Sequence, residues 1–226
     1  MLTKRQFAGM TDIVELSPTT TIDAVDRLID DACSNGFHSL GCPYCYHPHV
    51  IEELKKRSQW GKIALLGGGG FADGNWPTEV KLASIARCMY LGCTEIDLTS
   101  NLGWIKSGMW DEYLEELELV RNETRGVPLK VIIHAPQLNS EELYRASCLA
   151  AQIGADYIKT DTGRSPDPTT VEHVRAIRNA VGESVRIKAS GGVRTLEAVE
   201  QMIAAGTDRF GMSRSSALRI LDELPA

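Results

Sequence analysis

The feature that most constrains the fold of this chain is a repeated alternation of short β-branched segments with longer amphipathic segments. Eight segments rich in Val, Ile, Leu and Thr are each followed by a helical pattern, without a linker between units. The predicted strands cover residues 9–14, 36–41, 62–66, 94–99, 129–134, 156–160, 185–189 and 209–212. Such a series favours a closed (β/α)8 TIM barrel of the α/β class, formed by residues 1–226 as a single domain. An open doubly wound sheet is the alternative.

Several helix boundaries can be read from capping residues. Asn139 with Glu142 resembles a capping box, and Thr195 is placed to begin a later helix. Asp167, followed by Pro168, predicts the start of the helix that lies between these two helices. On the helix after the fourth strand, three glutamates are expected to form a solvated face: Glu115, Glu116 and Glu118.

Composition narrows the class of protein. The 226 residues carry a net charge of −6, which argues against a general affinity for nucleic acid or anionic membranes. No run of about 18 apolar residues suggests a membrane span, and no apolar segment follows Lys4 and Arg5 as in a signal peptide. Six cysteines in a chain of this length are typical of reduced thiols, so we expect a cytoplasmic protein.

Two lysines lie at the ends of neighbouring predicted strands, each followed by a turn that contains glycine. They are Lys159 and Lys188. Burying an ammonium group without a partner is costly, so a lysine at this position calls for a function. A lysine beside a second cation loses its proton more easily, and the neutral amine can attack a carbonyl carbon. The pair therefore indicates Schiff-base chemistry.

Carboxylates are expected near the two lysines. Residues two apart on a strand share a face, which places Asp97 with Glu95 and Asp161 with Lys159. By the same rule Arg186 shares a face with Lys188, and we predict that Arg186 pairs with Glu95 below the site. In a barrel, side chains at the carboxyl ends of strands meet at the catalytic face. A buried ion-pair network without catalytic function is the alternative.

Glycine turns follow the last three predicted strands. Loops after the seventh and eighth strands of such barrels frequently bind phosphate through backbone N–H groups and helix N-termini. The candidate phosphate-binding residues are Gly163, Arg164, Gly191, Gly192, Arg194, Gly211, Ser213 and Arg214.

The motifs taken together resemble those of the deoxyribose-phosphate aldolase family. They occur in family order from about residue 77 to residue 221: Glu95-Ile96-Asp97, Lys159-Thr160-Asp161-Thr162-Gly163 and Lys188-Ala189-Ser190-Gly191-Gly192-Val193-Arg194-Thr195. The resemblance implies a class I aldolase of carbohydrate catabolism that uses no metal or other cofactor. Its substrate would be 2-deoxy-D-ribose 5-phosphate, cleaved to acetaldehyde and glyceraldehyde 3-phosphate. It also implies a homo-oligomer, either a dimer or a tetramer.

The resemblance assigns a role to three side chains. Lys159 would form the Schiff base, Lys188 would keep its amine neutral, and Asp97 would move protons through a water. Asp161 and His134 depart from the family pattern, in which a small residue and a glutamate are usual. These two and Asn101 are candidates for substrate contact, and another sugar aldol remains an alternative substrate.

One further motif suggests a different function. Cys42-Pro43-Tyr44-Cys45 is a C-x-x-C sequence, and His47 and His49 follow it. Such a pair can carry thiol redox chemistry, and the four side chains could bind a metal ion. Eight βα units argue against a small thioredoxin-like domain, and structural zinc sites usually combine two separated ligand pairs. We therefore expect a tight turn at the barrel rim, whose cysteines are incidental or line the pocket. A barrel that binds a sugar phosphate without turnover is the other alternative.

Overall fold

Eight parallel strands close into a barrel at the centre of the protein, in a computed structural model that describes residues 2–225. Each strand pairs with the next one along the chain, and the first pairs with the last. The strands are β1 (Thr11–Val14), β2 (Ser39–Gly41), β3 (Ala64–Gly69), β4 (Glu95–Thr99), β5 (Leu129–Ile132), β6 (Tyr157–Lys159), β7 (Arg186–Ser190) and β8 (Arg209–Ser213). The predicted (β/α)8 barrel is confirmed, and the open sheet is excluded.

The described part of the chain forms ten α-helices around the barrel. They are α1 (Lys4–Gly9), α2 (Ile22–Asn35), α3 (His47–Lys56), α4 (Thr78–Leu91), α5 (Leu102–Ser107), α6 (Trp110–Glu123), α7 (Ser140–Gln152), α8 (Val171–Val181), α9 (Leu196–Ala204) and α10 (Arg214–Glu223). Two 3-10 turns, Tyr44–Tyr46 and Ala135–Gln137, lie in the loops after β2 and β5. Within residues 2–225, no helix has both the length and the apolar character that a membrane crossing requires.

Two of the predicted helix starts are confirmed and one is wrong. Asn139 and Glu142 form a reciprocal capping box at α7, and the Thr195 side chain accepts from Ala198 N at α9. The helix predicted to begin at Asp167 begins instead at Val171, with Thr170 as its cap. The delay has a physical cause, because the Thr169 hydroxyl donates to Ser190 O at 2.6 Å and holds this loop against β7.

The strand ends also differ from the prediction. Gly9 belongs to α1, a helix that precedes the barrel and that the sequence pattern did not indicate. β5 ends at Ile132, and His134 has a left-handed backbone with φ of 57°. A residue in that conformation cannot continue a strand, so the chain turns away from the barrel at His134.

The register of the strands concentrates charge inside the barrel. Lys159 lies opposite Lys188 on the neighbouring strand, and Lys188 lies opposite Arg209. On the other side, Asp97 lies opposite Lys130. Residues opposite each other in register point to the same face of a sheet. The sequence thus places three lysines, an arginine and their carboxylate partners in the interior of one barrel.

A second buried ion pair lies outside the barrel. Glu116 of α6, predicted to be solvated, is buried and accepts from Lys81 Nζ of α4 at 2.7 Å. Lys81 also donates to Thr99 O at 3.0 Å, and the Thr78 hydroxyl donates to Glu116 at 3.0 Å. Glu115 and Glu118 remain exposed as expected. The pair therefore joins two helices to the end of β4.

Candidate active site

Asp97 of β4 is the centre of the charged interior. Its Oδ2 accepts from Lys159 Nζ at 2.7 Å and lies 3.3 Å from Lys188 Nζ, while its Oδ1 accepts from Lys130 Nζ at 3.0 Å. Burial alone would raise the pKa of Asp97, but the three ammonium groups outweigh it and hold that pKa well below its usual range. Asp97 is therefore a carboxylate, and it brings the two predicted catalytic lysines together.

A lower layer of charge supports this group. Asp12 of β1 pairs with Lys188 Nζ at 2.7 Å and with Arg209 Nη1 at 3.1 Å. Glu95 pairs with Lys130 Nζ at 2.6 Å. Burial would raise the pKa of Asp12, yet Lys188, Lys130 and Arg209 lower it below the ordinary value. These contacts hold the Lys188 and Lys130 ammonium groups in place beside Asp97.

The interior carries more positive than negative groups. Four cationic side chains, Lys130, Lys159, Lys188 and Arg209, face three carboxylates, Asp12, Glu95 and Asp97. One positive charge therefore has no carboxylate of its own. Burial lowers the pKa of Lys188 to about 8, against the pull of Asp12 and Asp97 and with help from the neighbouring lysines. For Lys130 the three carboxylates outweigh burial and raise the pKa. The surplus positive charge favours loss of a proton from Lys188, whose pKa is lowered.

The predicted Arg186–Glu95 pair is wrong. The Arg186 side chain is 52% exposed and stacks on the Tyr157 ring, 4.1 Å from its centroid. Arg186 is the first residue of its strand and can turn out to solvent at the lower rim. Inside the barrel, Arg209 lies 3.6 Å from Glu95, the carboxylate that Arg186 was expected to meet.

Two cavities open above the lysines and share Lys159. The larger has a volume of about 550 Å³ and is mostly apolar, with Cys42, Tyr44, Tyr46, Leu66, Phe71 and Trp76 in its wall. The smaller has a volume of about 290 Å³ and is lined by the loops that follow β6, β7 and β8. Asp97 lines only the larger cavity and Lys188 only the smaller one. Lys159 is therefore the amine at the junction of the two spaces.

The glycine turns form the wall of the smaller cavity. Gly191 and Gly192 have φ values of 90° and 82°, which side chains rarely adopt. A Cβ on Gly192 would lie 2.4 Å from Pro168 Cβ, so only glycine fits there. The predicted binding residues that line this cavity are Gly163, Arg164, Gly191, Gly192, Arg194, Gly211 and Ser213. The structure thus brings together seven of the eight candidates.

Arg214 is the candidate that lies elsewhere. It is the first residue of α10, and its guanidinium pairs with Asp31 of α2. This contact directs the side chain to the outer surface, between two helices. Ser213 is the last residue of β8 and lines the smaller cavity, whereas Arg214 follows it and begins α10. This difference in position, and not the residue type, explains why only Ser213 lines the cavity.

Asp161 is turned away from Lys159. Its Oδ2 accepts from Gly163 N at 2.6 Å, its Oδ1 accepts from the Ser165 hydroxyl at 2.5 Å, and His134 Nδ1 lies 3.7 Å away. Burial would raise the pKa of Asp161, but His134, Ser165 and the Gly163 N–H lower it. The carboxylate therefore organises the loop after β6 and does not contact the lysine amine.

The other two candidates for substrate contact also lie outside both cavities. His134 is buried behind Asp161. Asn101 caps α5, where its Oδ1 accepts from Trp104 N at 3.2 Å. Asn101 thus stabilises the start of α5, and His134 contacts the Asp161 carboxylate.

The C-x-x-C motif does not form the metal site that the sequence allowed. Cys42 is buried in the wall of the larger cavity, and Cys45 is exposed at its rim. His49 pairs with Asp26 at 2.6 Å, and His47 turns to Cys93, with 3.4 Å between Nδ1 and Sγ. Burial raises the pKa of the Cys42 thiol to about 12. Such a thiol is the opposite of the reactive thiolate that redox chemistry needs.

Three charged residues of the site were missed at the level of sequence. Lys130 carried the same signal as Lys159, an ammonium group within a strand, and could have been found by the same argument. Asp12 lies in the first βα unit, where the pattern is weakest. Arg209 begins its strand, as Arg186 does, so the sequence does not distinguish the buried arginine from the exposed one.

Known proteins with related sequences share this architecture. Residues 14–215 match the family described as DeoC/LacD family aldolase. The deoxyribose-phosphate aldolase of Thermococcus kodakarensis is 35% identical over 230 residues, which cover 99% of each chain. That of Rhizobium meliloti is 34% identical over 229 residues, covering 100% of this chain and 90% of the relative.

Solved structures give the same result. An aldolase named QR15 superimposes with a TM-score of 0.88 at 31% identity, over 96% of this chain and 95% of its own. The deoxyribose-phosphate aldolase of Aeropyrum pernix, described as a tetramer, superimposes with a TM-score of 0.85 at 26% identity. The superposition covers 97% of this chain and 91% of the Aeropyrum pernix chain. Both superpositions cover at least 96% of this chain.

Proposed function

The chain belongs to the DeoC/LacD family of aldolases, and from that premise we propose that it cleaves 2-deoxy-D-ribose 5-phosphate through an imine on Lys159. The observation that carries the proposal is the position of the Lys159 amine, at the junction of two cavities and 2.7 Å from Asp97 Oδ2. A carbonyl carbon can reach this amine from the mouth of the barrel. Of the other two lysines of the group, Lys188 lines only the smaller cavity and Lys130 lines neither.

The proposed reaction begins with the neutral amine of Lys159. Its lone pair attacks the aldehyde carbon, and loss of water from the carbinolamine gives a protonated imine. The hydroxyl on C3 then loses its proton, C3 becomes the new aldehyde carbon, and the bond between C2 and C3 breaks. The bonding electrons move into the imine, which becomes an enamine, and glyceraldehyde 3-phosphate leaves. Protonation at C2 and hydrolysis release acetaldehyde and the free lysine.

Asp97 and Lys188 have different parts in these steps. Asp97 lines the larger cavity and contacts the Lys159 amine, so it can relay protons to and from the reacting atoms through a water. Lys188, whose pKa of about 8 leaves it mainly charged at neutral pH, opposes a second positive charge on Lys159. Lys130 anchors Asp97 from the side away from the cavities.

The smaller cavity would hold the phosphate. Its wall consists of glycine turns whose backbone N–H groups can approach an anion closely, and Arg164 and Arg194 supply positive charge. The net charge of −6 makes this local arrangement necessary, because the overall field of the protein repels anions.

Comparison of phosphorylated and unphosphorylated substrates tests this assignment. We expect Arg194→Met to raise the KM for 2-deoxy-D-ribose 5-phosphate about tenfold or more, since a charge-assisted hydrogen bond is lost. The variant should change the cleavage of 2-deoxy-D-ribose much less. Arg214→Met is the matched control, because Arg214 pairs with Asp31 outside the cavity. An equal loss on both substrates, or the same loss in the control, would refute the phosphate site.

The larger cavity favours a second candidate, an aldol with a bulkier apolar part. Acetaldehyde has three heavy atoms and, at about 30 Å³ for each, fills under a fifth of the 550 Å³ available. A panel of carbonyl donors of increasing size, assayed with one acceptor, distinguishes the candidates. Higher kcat/KM for a larger donor than for acetaldehyde would establish the second candidate.

The proposal also includes the oligomeric state and the cellular location of the protein. A tetramer is described for the Aeropyrum pernix relative, and the most exposed large aromatic side chains among the described residues are Tyr90 and Tyr144. We expect a homo-oligomer, a dimer or a tetramer, which light scattering would detect. The cysteines are free thiols, a state that the cytoplasm maintains.

A further inference from the structure

A cluster of three metal-binding side chains lies outside the barrel, away from the lysines. It consists of His47, Cys88 and Cys93, all buried, which we call the His-Cys-Cys cluster. His47 is the first residue of α3, Cys88 lies in the last turn of α4, and Cys93 lies in the link from α4 to β4. The proposed aldolase reaction uses none of the three residues.

The cluster packs against the outer face of β3. A Cβ placed on Gly67 would lie 2.5 Å from Cys88 Cβ and 3.1 Å from Cys93 Cβ. Gly67 is also part of the wall of the larger cavity. The missing side chain therefore gives the two cysteines their space, and only the backbone of β3 separates them from the proposed site.

The donor atoms have the spacing of ligands of one ion. The imidazole nitrogen and the two sulfur atoms all lie within 4.8 Å of one another, and His47 Nδ1 is 3.4 Å from Cys93 Sγ. Zinc bonds of about 2.3 Å to sulfur and about 2.0 Å to nitrogen, at a tetrahedral angle, place two such ligands about 3.5 Å apart. An ion can thus enter with small side-chain movements.

Existing contacts leave this group poorly satisfied. His47 Nε2 is buried without a hydrogen-bond partner, and His47 Nδ1 contacts Cys93 Sγ. The second candidate cluster, Asp12, His38 and Glu95, differs because lysines and Arg209 already neutralise its carboxylates. Of these two clusters, the His-Cys-Cys cluster is the one whose nitrogen and sulfur atoms are not already paired with cationic side chains.

We propose that the His-Cys-Cys cluster binds one Zn²⁺ ion. Soft thiolates and imidazole favour zinc and cuprous ions over magnesium or calcium. Two thiolates and Zn²⁺ sum to zero charge, which suits a buried apolar site, whereas Cu⁺ would leave a net charge of −1. Binding displaces two thiol protons, so affinity rises with pH. The ion joins α3, α4 and the entry to β4 behind the wall of the larger cavity.

Zinc titration of the reduced, metal-free protein tests the proposal, with a chromophoric chelator as competitor. We expect one Zn²⁺ per chain and at least a 100-fold loss of affinity in Cys88→Ser and in Cys93→Ser. Cys33→Ser, which changes a cysteine of α2 outside the cluster, is the matched control and should bind as the wild type does. The proposal would be overturned if the wild type bound no zinc, or if the Cys88→Ser and Cys93→Ser variants bound zinc with wild-type affinity.

A second measurement needs no variant and so does not depend on the folding of one. X-ray absorption at the zinc edge of the loaded wild type should show two sulfur ligands at about 2.3 Å and nitrogen at about 2.0 Å. A shell of oxygen and nitrogen alone would overturn the assignment. Both measurements report metal binding and not turnover, so they stand whether or not the aldolase assignment holds.

Discussion

At the scale of single residues, the neighbours of Asp97 divide the lysines into three kinds. Lys130 is completely buried and bound to carboxylates, Lys188 is buried with a lowered pKa, and Lys159 reaches the cavities. Three chemically identical side chains thus differ only in which carboxylates and which space surround them. Position in the barrel, and not residue type, selects the nucleophile.

Removal of the Lys188 charge should change the pH dependence of the reaction. The Lys188 ammonium lies 3.3 Å from Asp97 Oδ2, the oxygen that accepts from Lys159, so its removal leaves that oxygen to the Lys159 amine. Only a neutral amine can attack a carbonyl carbon. We expect kcat/KM of Lys188→Met to fall by about 10- to 100-fold at pH 7 and to recover partly as the pH rises. A pH–rate profile with the shape of the wild type would contradict this role, and circular dichroism would confirm that the variant folds.

The sequence predicted the two catalytic candidates and Asp97 because strand periodicity fixes which side chains share a face. The direction of Asp161 could not be predicted, since it depends on hydrogen bonds with Ser165 and Gly163 in a loop. Arg214 shows the same limit, because its partner Asp31 is distant in sequence. Local periodicity determines strand positions, whereas tertiary contacts determine loop positions.

At the scale of elements, loop residues set the helix starts that the sequence missed. Asp167 and Pro168 have the composition of a helix start, but Thr169 bonds to β7 and delays α8 to Val171. The same hydrogen bond fixes the loop that lines the smaller cavity. The start of α8 was thus predicted wrongly at the loop that also contributes to the proposed binding site.

The buried Lys81–Glu116 pair provides a test of how α4 and α6 are joined to β4. Glu116→Gln leaves the Lys81 ammonium buried without a carboxylate, which should lower the free energy of unfolding by about 3–5 kcal/mol. Urea denaturation measures the change. Glu118→Gln, on the exposed face of the same helix, should change it by less than about 0.5 kcal/mol. Equal effects in the two variants would show that the pair does not stabilise the fold.

At the scale of the whole molecule, the charged interior links the fold to pH. Burial opposes ionisation of Glu95, yet His38 and Lys130 lower its pKa from 4.5 to about 2. Asp12 and Asp97 are lowered as well. A carboxyl with a depressed pKa binds protons less readily when folded than when unfolded. Its contribution to stability is therefore complete above pH about 4.5 and is lost as the pH falls toward 2.

Acid should consequently unfold this barrel in a defined range. We expect the Tm to stay nearly constant from pH 7 to 5 and to fall steeply between pH 4.5 and 2. Circular dichroism at closely spaced pH values measures it. In Glu95→Gln the decrease should be shallower, because one of the three carboxyls no longer titrates. A Tm that is level down to pH 2 would show that the interior charges do not determine acid stability.

The central claim is that Lys159 forms the imine. The most direct measurement is incubation with acetaldehyde, reduction with borohydride and mapping of the adduct by peptide mass spectrometry. We predict an ethyl adduct on Lys159 and none on Lys130 or Lys188. In Lys159→Ala we predict no adduct on Lys130 or Lys188 either. An adduct on Lys188 instead, or no trapped imine with any carbonyl donor, would contradict the account.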